Sequence, residues 1–365
     1  MFFADNKSKT RALWRSGMFA LDKGNGMRAD RIVRRICFAI AAVLVTGPAC
    51  AQTPVKFALD FRFEGPAAPF LLALDRKYFK AEGLDVTIDP GAGSLEPITR
   101  VASGAYDMGF GDINALIKLR DQNHASAPKA VFMVYNKAPF AIVARKSRGV
   151  SAPKDLENKK LAAPAGDAAF AQWRIFAKAN DIDISKVAIE TIAFPVREPM
   201  PAAGQVDAIT GFSFSTFITL KDRGVAVDDI VVMLMADHGV HLYGNAIIVS
   251  QKFAMERPHA VRGFLRAYLK GLKDTIKDPV RAVDSVISRN SAASKDVEIE
   301  RLRMAIRDNI LTPEVKANGL GGVDARRLNR AIDQIALTFD FRTKPKASEV
   351  FDESFLPAAV DRNAH

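Results

Sequence analysis

The chain has 365 residues, 48% of them hydrophobic and 25% charged, with a formal net charge of +11 and two cysteines. This is globular composition with length for about two domains. Beyond the N-terminal region no apolar run approaches the roughly 20 residues a membrane helix needs, and no internal repeat, heptad array or low-complexity tract occurs.

The start has the order of an export signal. Arg28, Arg31, Arg34 and Arg35 precede an apolar stretch from Ile36 to Thr46, which Pro48 closes before the small-residue triplet Ala49, Cys50, Ala51. Cleavage after Ala51 is expected, leaving Gln52 as the new terminus, and a translation start at Met27 suits the pattern better than Met1. Lipid attachment at Cys50 is the rival processing, but Gly47 and Pro48 stand where such a site has branched and small residues. Residues 1–51 hold 9 of the 52 Lys and Arg and 3 of the 41 Asp and Glu, so 43 basic and 38 acidic residues remain, a net charge of +5. Those charges alternate in sign without a basic stripe or an aromatic RNA motif, which argues against a nucleic-acid partner. Cys37 and Cys50 both lie in the removed segment, so the exported chain has no disulfide, no thiolate nucleophile and no cysteine metal site.

From residue 55 strands and helices alternate. Strands are expected at Val55–Leu59, Leu84–Ile88, Tyr106–Phe110 and Ala130–Tyr135, with a helix over Ala68–Lys80 and further helices beginning near Ser94 and Asp112. The result is an α/β layer on a parallel sheet. A second α/β unit follows the extended segment Phe140–Ala144, with strands at Leu161–Ala163, Val187–Ile192 and Asp207–Thr210 and helices over Asp167–Lys178 and from Ser213. After a strand-like segment at Tyr243–Val249 only helices are expected, at Arg262–Thr275, Pro279–Ser288, Lys295–Arg307 and Asp324–Ala336, all packed on the first lobe. The economical organisation is an extension and signal at 1–51, lobe one at 52–145 and 238–340, lobe two at 146–237, and a loosely held polar tail at 341–365. Two crossing segments, near Arg145 and His238, would form the hinge.

A family resemblance rests on ordered motifs. Tyr78, Phe79, Lys80, Ala81, Glu82, Gly83, Leu84, Asp85, Val86 is followed by the turn Gly91, Ala92, Gly93, Ser94 and by Ala102, Ser103, Gly104, Ala105, Tyr106, Asp107, Met108, Gly109. Val150–Leu156 and then Ala203, Gly204, Gln205, Val206, Asp207, Ala208 complete the series. Over residues 55–275 the chain resembles the periplasmic solute-binding proteins of importers for nitrate, sulfonates, taurine and the pyrimidine precursor of thiamine. The resemblance implies a periplasmic-binding-protein-like α/β fold of two lobes joined by a two-segment hinge. It further implies a monomer without cofactor or catalytic residues that captures a small organic solute and delivers it to the permease of an ABC importer. Most of these motif residues also have plain structural uses, such as Gly83 ending a helix, so they identify a fold and leave the ligand open.

Open α/β sheets bind ligands beyond the carboxyl ends of their strands. The loops that follow from this are 60–66, 91–94, 111–114 and 136–139 in lobe one, 164–169, 197–200 and 211–215 in lobe two, and 238–245 at the return crossing. The candidate ligand-binding residues are Asp60, Phe61, Arg62, Phe63, Glu64, Gly93, Ser94, Gly111, Asp112, Asn136, Gly166, Asp167, Arg197, Phe212, Ser213 and Tyr243. Gly93 with Ser94, Gly111 with Asp112, Gly166 with Asp167, and Ser213 stand at strand-to-helix junctions, where free N–H groups hold an oxyanion or are simply capped by those side chains. Arg62 is a bidentate clamp for an anionic group, the partner of Glu64 or a bridge to the other lobe; Arg197 is either the opposing cation or a surface residue. Phe61, Phe63, Phe170, Trp173, Phe212, Phe214 and Tyr243 supply rings for an organic solute or for the core.

These features favour an anionic solute of sulfonate, taurine or carboxylate type, with a neutral pyrimidine or other heteroaromatic as the alternative. A pyrimidine-forming enzyme of the same fold is disfavoured by the missing cysteine cluster, and no GxSxG elbow is present. Asp237, His238 and His241 do not match a metal-ligand spacing.

Overall fold

The computed structural model describes residues 52–122 and 126–364, so the export signal, its cleavage site and both cysteines lie outside the described residues. Among the described residues ten strands form two five-stranded mixed sheets. The first has the order β2-β1-β3-β10-β4, where β1 is Thr53–Ala58, β2 Leu84–Asp89, β3 Met108–Asp112, β4 Lys129–Met133 and β10 Asn245–Val249. The second has the order β7-β6-β8-β5-β9, with β5 at Phe140–Arg145, β6 at Lys160–Pro164, β7 at Ala188–Ile192, β8 at Ala208–Phe212 and β9 at Ile230–Leu234.

The two sheets repeat one plan. In each, four strands run in one direction and the fifth runs antiparallel to both of its neighbours: β10 between β3 and β4, and β5 between β8 and β9. The antiparallel strand is in both cases the one the chain enters directly after passing between the lobes. The expected wholly parallel sheet is therefore corrected, and so is the first crossing. β5 belongs to the second sheet, so the chain leaves lobe one after β4, through Val134–Pro139, and not near Arg145. It returns through Met235–Gly244, which contains His238. The extended run Phe140–Ala144 is buried throughout because it lies inside a sheet, with neighbours on both edges. β9 was absent from the expected elements.

Lobe one is sealed by aromatic packing. The helix Pro258–Lys277 begins with proline at its first position, where no backbone donor is lost. It buries Val261, Phe264, Leu265, Tyr268, Leu269 and Leu272 at helical spacing. Phe264 stacks on Phe57 of β1 at 4.9 Å and on Phe79 at 4.8 Å, and Tyr268 lies 4.4 Å from Phe70. The expected helix over Ala68–Lys80 is two, Ala68–Asp75 and Tyr78–Ala81, because Lys77 adopts a left-handed conformation at φ 59°. The tail is not loose. Val350, Phe351 and Phe355 are buried, Phe351 bridges Ala130 of β4, and the Asp121 carboxylate accepts the backbone N–H groups of Arg342 and Thr343.

Among the described residues no helix is long and apolar enough to cross a membrane, and no cluster of three metal-ligating side chains exists.

Candidate functional site between the lobes

The carboxyl ends of β1, β6, β7 and β8 and the turn before the helix Glu96–Ala102 converge on one narrow cavity of about 50 Å³. Asp60, Phe61, Arg62, Glu64, Pro66, Ala67, Gly93, Ser94 and Tyr135 line it from lobe one, and Asp167, Phe194, Arg197, Phe212, Phe214 and Ser215 from lobe two. The two walls meet at glycine. Gly93 has φ +125°, and a Cβ there would fall 2.6 Å from the Gly166 carbonyl oxygen of the opposite lobe; no residue with a side chain permits that approach.

Nine expected residues thus come together: Asp60, Phe61, Arg62, Glu64, Gly93, Ser94, Asp167, Arg197 and Phe212. The others stand elsewhere. Phe63 packs against the lobe-one core. Gly166 does not line the cavity but meets Gly93 across the lobes, beside Ala92 and Phe194. Gly111 lies within β3, closely covered by Ser94, Ile98 and Pro97. Asp112 caps the helix Ile113–Gln122 by accepting from the N–H groups of Asn114 and Ala115. Ser213 donates its N–H to the Pro139 carbonyl.

Asn136 and Tyr243 belong to the crossings, where one arginine gathers them. Arg327 donates to the Asn136 carbonyl at 2.7 Å and side-chain oxygen at 3.1 Å, to the Leu242 carbonyl at 3.3 Å, and to Glu314 at 2.8 Å. Its guanidinium lies 3.9 Å from the Tyr243 ring centroid, and the Tyr243 hydroxyl donates to Glu314 at 2.7 Å. Of the two histidines, His241 offers its backbone N–H to Gln334, and the His238 carbonyl accepts from Asn180.

Both arginines of the cavity are already matched. Arg62 is exposed, pairs with Glu64 at 3.0 Å and covers the Phe61 ring at 4.7 Å. Arg197 is not a surface residue: it is 5% exposed, pairs with Glu198 at 2.5 Å and lies over Phe194 at 5.4 Å. Asp167 caps its helix through Ala169, accepts from the Thr210 hydroxyl, and is pushed upward in pKa by burial, with Arg197 opposing. Burial and the neighbouring Glu64 push Asp60 up to about 7. Asn245 and Ser94 both donate to Asp60 Oδ2, at 2.8 and 3.5 Å, leaving Oδ1 without a side-chain donor. Three carboxyl groups and two arginines therefore line the space, and each arginine holds a carboxylate.

Rings complete the walls. Phe61 of lobe one meets Phe194 of lobe two edge-on at 5.3 Å, and Tyr135 contacts Phe212 at 6.1 Å and Phe214 at 5.7 Å. Pro66, Phe214 and Ser215 fall within the loops expected to bind ligand, whereas Phe194, Tyr135 and Ala67 lie outside them. Phe194 directly follows β7, so the strand-end rule reaches it once the loop is begun at Ala193 instead of Arg197. Tyr135 had been counted in β4, which ends at Met133.

The chain is 24% identical over 302 residues to the riboflavin-binding protein RibY of Chloroflexus aurantiacus, covering 80% of this chain and 82% of that one. It is 24% identical over 307 residues to a formylaminopyrimidine-binding protein of Halalkalibacterium halodurans, with 82% and 89% covered. Its fold is similar to that of the alkanesulfonate-binding protein SsuA of Xanthomonas axonopodis pv. citri bound to MOPS, at a TM-score of 0.61, 16% identity and coverage of 82% and 96%. The family described as NMT1/THI5 like matches residues 66–282, and with the two-lobed fold and its interlobe cavity this places the chain in the NMT1/THI5-like family.

Proposed function

We propose that this protein is a periplasmic solute-binding receptor of an ABC importer that captures a neutral, nitrogen-bearing heteroaromatic solute between its lobes and hands it unchanged to a permease. The observation that carries the choice of solute is the charge pattern of the cavity: both arginines are held by carboxylates, and Asp60 and Asp167 remain as acceptors facing the space. Such carboxyl groups suit N–H donors on a ring edge, whereas a sulfonate or carboxylate finds both arginines already engaged. The rings of Phe61, Phe194, Phe212, Phe214 and Tyr135 suit a flat ligand. The names of the two relatives, binders of riboflavin and of a formylaminopyrimidine, support the same class. The anionic solute favoured by the sequence loses its main support with the pairing of Arg62.

In mechanism, the ligand bridges walls contributed by separate sheets, so its contacts are complete only when the lobes are together, and binding shifts the population toward that form. Micromolar affinity needs about −8 kcal/mol, within reach of ring burial and a few hydrogen bonds to buried carboxyl groups. No cofactor or chemistry is required, and a single chain suffices. Calorimetric titration with riboflavin, a formylaminopyrimidine, MOPS and nitrate tests the reading. Binding of a heteroaromatic compound, recovered unchanged by mass spectrometry, is expected; tighter binding of MOPS or nitrate would overturn it.

A further inference from the structure

The helix Lys295–Ala305 lies outside the cavity yet touches both of its walls. Its apolar residues Ile299, Leu302 and Ala305 belong to the lobe-one core. Its backbone presses on the turn after Glu64: a Cβ at Gly65 would stand 2.3 Å from the Glu298 carbonyl oxygen. The Gly65 N–H donates to the Glu298 carboxylate at 2.5 Å. From this helix Arg301, 5% exposed, reaches in three directions. It is paired with Glu298, lies 3.5 Å from Glu64 on the solute wall, and donates to the Thr219 hydroxyl at 3.1 Å. Thr219 belongs to the lobe-two helix Ser213–Asp222, whose first turn supplies Phe214 and Ser215 to the cavity. At the exposed edge of the same contact Glu300 pairs with Lys221 at 2.7 Å.

We propose that Arg301 is an interlobe tie: it fastens the solute wall at Glu64 to the lobe-two helix at Thr219 and so sets how much of the protein is closed. Two carboxylates in lobe one fix the guanidinium, and the hydrogen bond it sends across is one that opening of the lobes breaks. A charged donor buried against a neutral hydroxyl is a good tie for a reversible closure, because separation strands no ion of lobe two in an apolar site. The Glu300–Lys221 pair at the rim is solvated and adds little. The tie goes beyond the identity of the solute, since it requires only that the lobes open and close.

The test needs no solute. The full chain, with Cys37 and Cys50 changed to Ser, carries nitroxides at Lys80 in lobe one and Lys186 in lobe two, is stripped of ligand by unfolding and refolding, and is measured by double electron–electron resonance. The unsubstituted chain is expected to show a dominant short distance. Thr219→Val keeps every charge and removes only the crossing bond, and Arg301→Lys keeps the carboxylates paired while losing the reach. Both are expected to lower the closed-to-open ratio roughly tenfold, the effect of one charged hydrogen bond, with melting curves as the folding control. A distance distribution in Thr219→Val identical to that of the unsubstituted chain would overturn the tie, and so would an unsubstituted chain that is wholly open. Neither outcome bears on which solute binds.

Discussion

Asn245 donates its side-chain amide to Asp60 Oδ2 at 2.8 Å, joining the end of β1 to the first residue of β10, 185 positions further along the chain. The strand that brings the chain back from lobe two thereby orients a carboxyl group on the solute wall of lobe one.

That carboxyl group makes stability depend on pH. Asp60 rises from an ordinary value of 3.8 to about 7 on folding, so the folded state holds its proton more tightly than the unfolded chain. The associated stability is complete below about pH 4 and is lost as pH rises toward 7. Asp60→Asn, which stays neutral, is expected to melt close to the unsubstituted protein at pH 4 and above it at pH 8. A melting-temperature difference that does not grow between these pH values contradicts the burial argument.

The two arginines of the cavity differ in weight. Arg62→Ala removes an exposed pair, worth about 0–1 kcal/mol, and is expected to change solute affinity and stability little. Arg197→Met strands the buried Glu198 and is expected to cost about 3–5 kcal/mol in chemical denaturation, most of it regained in the double variant with Glu198→Gln. A large effect at Arg62 with none at Arg197 would restore the anion-clamp picture.

At the crossings, Tyr243→Phe deletes a hydroxyl that donates to Glu314 and accepts from the Asp324 N–H. A loss of about 1 kcal/mol is expected, since a half-buried carboxylate and a backbone donor each lose a partner. Urea titration measures it, and an unchanged midpoint would show the network to be dispensable.

Gly271 tests packing against propensity. In an exposed helix Gly→Ala gains about 1 kcal/mol. Here the new methyl would lie 2.4 Å from the Pro69 carbonyl oxygen and 2.8 Å from Ala73 Cβ. Overpacking is expected to prevail, destabilising Gly271→Ala by about 1–3 kcal/mol by thermal melting. A stabilised variant would mean that the helix Ala68–Asp75 yields readily.

The sequence by itself determined the alternation of strand and helix, the two-lobed α/β class and the loops that carry the cavity. Those follow from hydrophobic periodicity and the strand-end rule, both local properties: Asp60, Phe61, Ser94, Asp167 and Phe212 needed only to be placed at the end of a strand or between it and the helix that follows. β9, Ile230–Leu234, is no shorter than the strands that were expected; its place at the sheet edge beside β5 is set by the tertiary structure. What only the tertiary structure decided is which alternative each polar residue takes. Arg62 and Arg197 look alike in sequence, yet one is solvated beside Glu64 and the other buried beside Glu198. Asn136 and Tyr243 face Glu314 and Arg327, which lie dozens of residues or more away along the chain. The antiparallel setting of β5 and β10 follows from passage between the lobes. Burial and pairing are set by what distant segments bring alongside, and the free energy of a charge depends on those neighbours more than on its own position in the chain.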